Sequence, residues 1–196
     1  YKIDYQFNTT WQPFDTYNMS IGQGSNDFTV LQLANFTATI ANGGNYMKPY
    51  IVEQIISPEG KVLKTNRPEI LRRVDVKPET IAETKRAMHE VAKPGGTAYH
   101  LFYHFPEHIQ VAAKTGTAET GRVGDDPKGD FHGVFIAFAP VEDPQIAFAG
   151  IVEYGRSGGG SAGLVAKALF EQYFGINNHL LTDEELSANM SHANSE

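Results

Sequence analysis

The sequence contains no cysteine and no apolar run long enough to cross a membrane. The missing cysteines exclude disulfide bonds and thiolate metal sites, and a membrane-spanning helix would need about twenty consecutive apolar residues. The first residues, Tyr1-Lys2-Ile3-Asp4, do not open a signal peptide. No basic stripe with interleaved aromatic residues is present, so nucleic acid is not an expected partner. At 196 residues, 41% hydrophobic and a net charge of −7, the composition is that of an ordinary globular domain.

The first half of the chain predicts two helices and a hairpin. Residues 1–20 lack clear periodicity and are predicted as loop. Thr29 and Gln32 have the spacing of a capping box and predict the start of a helix that ends at Asn42-Gly43-Gly44. The predicted apolar face of this helix consists of Leu33, Phe36, Ile40 and Ala41.

The hairpin and the second helix follow. Tyr50-Ile51-Val52 and Lys61-Val62-Leu63 flank the turn sequence Ser57-Pro58-Glu59-Gly60, which is the pattern of a β-hairpin. Pro78 suits the first turn of a helix that ends at Pro94-Gly95-Gly96. The apolar face of that helix is predicted to be Ile81, Met88, Val91 and Ala92.

The second half predicts a sheet followed by a helix. A segment that leads into Lys114 and the two segments 133–139 and 146–154 are rich in strand-forming residues and have short connections, which favours antiparallel pairing. A helix is predicted after them and ends at Gly175. The fold class is therefore α+β, an antiparallel sheet flanked by helices. We divide the chain into a domain over residues 1–175 and a polar C-terminal tail over residues 176–196.

Lys114-Thr115-Gly116-Thr117 is the most informative short segment of the chain. On a strand, alternate side chains share a face, so Lys114 and Gly116 would point one way while Thr115 and Thr117 point the other. The segment combines an ammonium group, a position without a side chain, and hydroxyl and amide groups that can hold a carboxylate or an oxyanion. Taken alone, the segment is also compatible with the end of a strand that carries a solvated lysine.

The surrounding segments resemble the transpeptidase domain of class B penicillin-binding proteins, closest to the cell-elongation members from Gram-positive bacteria. The resemblance covers about residues 18–174, in order and with suitable spacing. It rests on these segments: Met19-Ser20-Ile21-Gly22-Gln23-Gly24; Thr29-x-Leu31-Gln32-Leu33-Ala34; Ile40-Ala41-Asn42-Gly43-Gly44; Gly96-Thr97-Ala98; Ala113-Lys114-Thr115-Gly116-Thr117-Ala118-Glu119; and His132-Gly133-Val134-Phe135-Ile136-Ala137-Phe138-Ala139-Pro140.

Two of the three motifs that build the active site of penicillin-recognising serine enzymes are missing. Lys-Thr-Gly is present, but no serine is followed by a lysine three residues later, as Ser-x-x-Lys would require. The only Ser-x-Asn is Ser187-Ala188-Asn189, which lies downstream of Lys-Thr-Gly instead of upstream. The resemblance therefore implies part of a penicillin-recognising (serine β-lactamase-like) fold, and a companion N-terminal fragment that carries Ser-x-x-Lys and Ser-x-Asn.

The resemblance also implies roles for the residues of the motif. Lys114 would join the hydrogen-bond network around the nucleophile. Thr115 and Thr117 would recognise the carboxylate of the donor peptide or of a β-lactam, and Gly116 would allow the ligand to approach closely. The amide of Thr117 would form part of the oxyanion hole.

The implied activity is acyl transfer on the D-Ala-D-Ala ends of peptidoglycan stem peptides, with β-lactams as inhibitors and without a cofactor or a metal. The implied location is the outer face of the cell membrane, with an N-terminal anchor and a membrane glycosyltransferase as partner. A non-catalytic penicillin-binding sensor or interaction domain of the same fold is the alternative function. Such a sensor would form the acyl-enzyme without resolving it.

Three other patterns suggest different chemistry. Gly158, Gly160 and Gly163 match a dinucleotide fingerprint after a strand, but the second parallel strand that a dinucleotide-binding unit requires is not predicted. His104-Phe105-Pro106-Glu107-His108 matches a zinc-binding string, but Pro106 would interrupt the helix that chelation needs, so a loop is predicted. The Asn-x-Ser/Thr triplets at Asn8, Asn18, Asn35 and Asn189 are frequent by chance and carry no prediction.

Overall fold

The computed structural model describes residues 10–24, 26–120 and 131–176. In chain order its helices are α1 (Pro13–Ser20), α2 (Val30–Ala41), α3 (Pro78–Glu90), α4 (Tyr99–Phe102) and α5 (Ala162–Phe174). Its strands are β1 (Asn45–Met47), β2 (Gln54–Ile56), β3 (Val62–Thr65), β4 (Ile70–Arg73), β5 (Ala112–Glu119), β6 (Phe131–Ala139) and β7 (Ile146–Val152). None of the described helices is long and apolar enough to span a membrane.

The three strands of the second half form one antiparallel sheet in the order β5-β6-β7, as predicted. Among the described residues β6 is the central strand, and β5 and β7 form the two edges. Two shorter antiparallel pairs, β1 with β4 and β2 with β3, lie outside this sheet. The β2–β3 pair confirms the predicted hairpin, but its first strand begins at Gln54 instead of Tyr50. Helices and antiparallel sheets together confirm the α+β class.

Residues at the ends of α2, α3 and α5 determine where these helices begin or end. Thr29 is the N-cap of α2: its hydroxyl accepts a hydrogen bond from the amide of Gln32, and the Gln32 side chain accepts one from the amide of Thr29. Pro78 occupies the first turn of α3. Gly175 ends α5 in the left-handed conformation with a φ of 64°.

The sheet is covered on both faces. One face packs with α4 and α5 in a core that includes Leu101, Phe135 and Phe170. The opposite face packs with α2 and α3 through a second cluster formed by Ile40, Ala41, Met88, Ala112, Phe138 and Val141. Because successive residues of β5 point to opposite faces, Ala112 belongs to one cluster and Ala113 to the other.

Two predictions in the first half were wrong. Residues 13–20 form α1 instead of a loop, and the Asp15 carboxylate accepts a hydrogen bond from the Gln12 amide at the start of this helix. On α2, the side chain of Phe36 is exposed while Thr37 is fully buried. The hydroxyl of Thr37 can be buried because it donates to the carbonyl of Leu33, one turn earlier, at 2.7 Å. The tail predicted for 176–196 lies outside the described residues except for Ile176.

Candidate active site

The segment from Lys114 to Thr117 lies entirely on β5, the edge strand of the sheet. Its residues pair in register with β6, Lys114 opposite Ile136 and Thr117 opposite Gly133. Among the described residues, no strand pairs with the outer edge of β5. An edge strand with exposed backbone groups can accept an extended peptide as an additional strand.

Lys114 faces an open groove between β5 and α3. The groove has a volume of about 650 Å³ and is lined by Lys114 together with Glu79, Thr80, Glu83, Thr84, Ala87, Met88 and Val91. The Lys114 side chain is exposed, and its Nζ donates a hydrogen bond to the carbonyl of Thr115 at 2.6 Å. The groove thus has a cation at the strand and an apolar floor at Met88.

Glu79 and Glu83 on α3 line the groove opposite Lys114, and Glu83 is paired within the helix. Glu83 forms a hydrogen-bonded ion pair with Arg86 at 2.6 Å. The hydrogen bonds and the charge of Arg86 hold the pKa of the Glu83 carboxyl below its usual range. Glu83 is therefore ionised at neutral pH but neutralised by its own neighbour on the helix, while Lys114 forms its short contact with the strand backbone.

Thr115 lies on the opposite face of β5 from Lys114. Its Oγ1 lies 3.0 Å from the Oγ1 of Thr97, in the turn between α3 and α4. Thr97 adjoins Ala98, which is fully buried in the core beneath this face. The sequence prediction that Lys114 and Thr115 diverge on a strand is confirmed.

Gly116 is closely packed, by Val134 of the neighbouring strand on one face and by a glycine-rich turn on the other. A Cβ atom on Gly116 would lie 3.2 Å from the Cβ of Val134 on the neighbouring strand. From the other face, the glycine-rich turn before α5 approaches so closely that a Cβ on Gly158 would lie 2.6 Å from the Gly116 carbonyl oxygen and would also meet the Val134 carbonyl. Thr117 is exposed on the strand. The absence of a side chain at Gly158 therefore lets the turn approach the strand to a separation that no side chain at this position allows.

This packing also accounts for the glycine pattern that resembles a dinucleotide fingerprint. A Cβ on Gly163 would lie 2.7 Å from the Leu101 side chain, because α5 packs closely against α4. The strand before the turn, β7, belongs to an antiparallel sheet, whereas a dinucleotide-binding unit is built on parallel strands. The glycines serve the packing of a helix and a turn on a sheet.

The predicted histidine loop is confirmed. Residues 103–109 lie in turns after the end of α4, so His104 and His108 do not share a helical face. His104 Nε2 instead lies 2.7 Å from Oε1 of Glu171, a buried carboxylate on α5. The described residues contain no group of three or more side chains arranged to hold a metal ion.

Two contacts of the site were not predicted from the sequence, the hydroxyl pair of Thr97 with Thr115 and the approach of Gly158 to Gly116. Both join segments that are distant in the chain. The only sequence signal for them is a pair of neighbouring glycines at each position: Gly95-Gly96 before Thr97, and Gly159-Gly160 after Gly158. Glycines are common where two backbones pack closely.

An antiparallel sheet covered by helices, with Lys-Thr-Gly on its edge strand beside an open groove, defines the class of penicillin-recognising α+β proteins. The family description "Penicillin binding protein transpeptidase domain" matches residues 5–173. The chain belongs to this family, and the resemblance to class B penicillin-binding proteins is confirmed.

Individual relatives support the same conclusion. The chain is 37% identical over 158 residues to "Peptidoglycan D,D-transpeptidase PbpA" of Mycolicibacterium smegmatis. The matched region covers 76% of this chain and 30% of that protein. It matches the ceftriaxone acyl-enzyme complex of penicillin-binding protein A from M. tuberculosis with a TM-score of 0.64 and 34% identity, over 79% of this chain and 34% of that one.

A third match is the crystal structure of Pseudomonas aeruginosa PBP2 in complex with WCK 5153. The TM-score is 0.71 and the identity 29%, over 91% of this chain and 37% of that one. The chain therefore spans about a third of the length of these three relatives.

Proposed function

We propose that this chain supplies the Lys-Thr-Gly strand of a peptidoglycan D,D-transpeptidase whose nucleophilic serine lies on residues outside it. The observation that carries the proposal is the placement of Lys114 to Thr117 on an edge strand, with Lys114 on an open groove. The names of the relatives, which include D,D-transpeptidases and an acyl-enzyme with ceftriaxone, support it.

The donor stem peptide binds as an extended strand along the outer edge of β5. The serine oxygen adds to the carbonyl carbon of the D-Ala-D-Ala bond, and the serine proton is transferred to the departing D-Ala amine as the peptide bond breaks. The amine of an acceptor peptide then attacks the serine ester, which forms the cross-link and returns the proton to the serine. A β-lactam acylates the same serine by opening of its ring.

Each residue of the motif has a role in this reaction. Lys114 holds a positive charge beside the serine and stabilises the developing negative charge. The hydroxyl groups of Thr115 and Thr117 bind the terminal carboxylate, and the amide of Thr117 donates to the oxyanion. Gly116 leaves the surface of the strand open to the peptide backbone.

The setting of the reaction follows from its substrate. Peptidoglycan lies outside the cytoplasmic membrane, so the domain acts on the outer face of that membrane. The companion segment carries Ser-x-x-Lys and Ser-x-Asn, and a membrane glycosyltransferase supplies the glycan strands that are cross-linked.

The test uses the full-length protein that contains this chain. Replacing Lys114 with Ala should reduce the rate of acylation by a fluorescent penicillin on the order of a hundredfold, since one fixed electrostatic contact commonly contributes that much. Lys48→Ala is the matched control, because Lys48 is an exposed lysine paired with Glu69 away from the groove. Circular dichroism and thermal unfolding check that both variants fold.

Two results would contradict the proposal. Labelling of Lys114→Ala at the wild-type rate would make Lys114 an ordinary surface lysine. Stable labelling without any turnover of a D-Ala thioester substrate would instead support the penicillin-binding sensor.

A further inference from the structure

The hydrogen bond between the hydroxyl groups of Thr97 and Thr115 can run in either direction, and a bound ligand can decide which hydroxyl donates. The two Oγ1 atoms are 3.0 Å apart, and either one can donate. A threonine hydroxyl has one proton to donate and can accept hydrogen bonds from others. If Thr115 donates its proton to a ligand carboxylate, its hydrogen bond with Thr97 requires Thr97 to be the donor.

The backbone on both sides of Thr97 is held in place. A Cβ on Gly96 would lie 2.5 Å from the carbonyl oxygen of Glu90 and would also meet that of Val91, so the turn rests directly on the end of α3. The amide of Ala98 donates to the carbonyl of Val91 at 2.9 Å, and the side chain of Ala98 is fully buried. Thr97 is therefore presented to β5 by a turn that has little freedom to move.

The glycine-rich turn before α5 packs against both Thr97 and Thr115. A Cβ on Gly159 would lie 3.5 Å from the carbonyl oxygen of Thr97 and 3.8 Å from Cγ2 of Thr115. The methyl side of Thr115 thus faces this turn, while its hydroxyl faces Thr97. Packing of the methyl group restricts the rotamer of Thr115, because β-branched side chains have few alternatives at χ1.

We propose that Thr97 is a positioning residue for carboxylate binding: by donating to the oxygen of Thr115 it directs the Thr115 proton toward the ligand carboxylate. Chains of hydroxyl donors strengthen one another, so Thr115 becomes a better donor when Thr97 donates to it. This inference rests on the proposed function, because it assigns a supporting residue to the same site.

The experiment separates ligand binding from chemistry in the full-length transpeptidase. Thr97→Val removes the hydroxyl and keeps the branched shape, whereas Thr97→Ser keeps the hydroxyl. For each variant the dissociation constant of the complex that precedes acylation and the acylation rate constant are measured with a penicillin and with its carboxamide analogue. Thermal unfolding shows whether the variants are folded.

We expect Thr97→Val to weaken the initial penicillin complex about fivefold, in the range for a hydrogen bond between two neutral groups. The acylation rate constant should stay within about twofold, Thr97→Ser should restore binding, and the carboxamide should bind all three proteins equally. A purely structural role would lower the affinity for both ligands together.

Each other outcome overturns the inference. Wild-type affinity in Thr97→Val, equal losses in the Val and Ser variants, or equal losses for penicillin and carboxamide would show that Thr97 only holds the turn. Failure of the wild-type protein to label would contradict the proposed function as well, whereas a labelled wild-type protein with an unaffected Val variant would overturn this inference alone.

Discussion

Gly158 lies directly against the backbone of Gly116. A Cβ on Gly158 would lie 2.9 Å from the Gly116 amide nitrogen and 2.6 Å from its carbonyl oxygen. The turn before α5 therefore supports β5 at the residue where the proposed substrate approaches from the other side. The position of the Lys-Thr-Gly strand depends on a glycine more than forty residues away, so Gly158 matters for the site although it has no side chain.

Gly158→Ala is expected to displace the edge strand. The three nearest neighbours of the added methyl group are backbone atoms, which cannot rotate away, so the cost should be about 1–3 kcal/mol. We expect a lower unfolding temperature and at least tenfold slower labelling by penicillin. Gly159→Ala is the matched control for stability, because its Cβ would meet only ordinary contacts at 3.5 Å or more. Equal losses of stability in the two variants would contradict the supporting role of Gly158.

Gly116→Val tests the open surface of the strand itself. A branched side chain would crowd Val134, whose Cβ would lie 3.2 Å from a Cβ at this position, and would fill the space that the ligand backbone needs. We expect labelling to fall as far as in Lys114→Ala, on the order of a hundredfold. Labelling is measured per folded molecule, so loss of stability alone does not count. Normal acylation in this variant would remove the argument from close approach.

Glu171 on α5 is predicted to stabilise the fold without taking part in the reaction. This buried carboxylate contacts Nε2 of His104 at 2.7 Å and Nζ of Lys167 at 3.5 Å. Because Glu171→Ala leaves both partners without their acceptor, it should lower the free energy of unfolding by about 1–3 kcal/mol. Glu171→Gln keeps one oxygen acceptor and should cost less.

Chemical denaturation measures the stability of both Glu171 variants. Labelling per folded molecule should be unchanged in both, because the two side chains that Glu171 contacts, His104 and Lys167, are not part of the Lys-Thr-Gly segment. A selective loss of labelling in a variant of normal stability would place Glu171 in the site after all.

The elements that could be predicted from the sequence are those whose ends carry local signals. The capping box at Thr29, the proline at Pro78 and the left-handed Gly175 each act within a few residues, so a short stretch of sequence is enough to locate them. Helix α1 was missed although Pro13 and Asp15 are local start signals, because it lacks the apolar periodicity that indicates a helix.

Packing was the part that local patterns could not predict. Hydropathy assigned Phe36 to the buried face of α2, but the helix turns Thr37 inward, where its hydroxyl is satisfied by the helix itself. Likewise the motif at Lys114 to Thr117 was visible in the sequence, while its support by Thr97 and Gly158 depends on the tertiary arrangement of two turns. Sequence patterns therefore identify the reactive groups, whereas the contacts that support these groups can be identified only from the folded structure.

The last prediction concerns residues 1–196 on their own. Among the described residues, β7 has a partner only on the β6 side, and its sequence Ile146-Ala147-Phe148-Ala149-Gly150-Ile151-Val152 is entirely apolar. Helix α2 and the segment before it expose Leu31 and Phe36, at 62% and 53%, and also Phe28. An unpaired apolar edge beside exposed aromatic residues is a site of aggregation.

We therefore expect the purified chain to aggregate or to fold poorly and to bind no fluorescent penicillin covalently. Co-expression with a polypeptide that carries Ser-x-x-Lys and Ser-x-Asn should give a soluble complex that labels. Size-exclusion chromatography and in-gel fluorescence measure both outcomes. A soluble, monomeric and penicillin-labelled chain of 196 residues would mean that the nucleophile is already present, and it would overturn the proposal that the serine is supplied from outside.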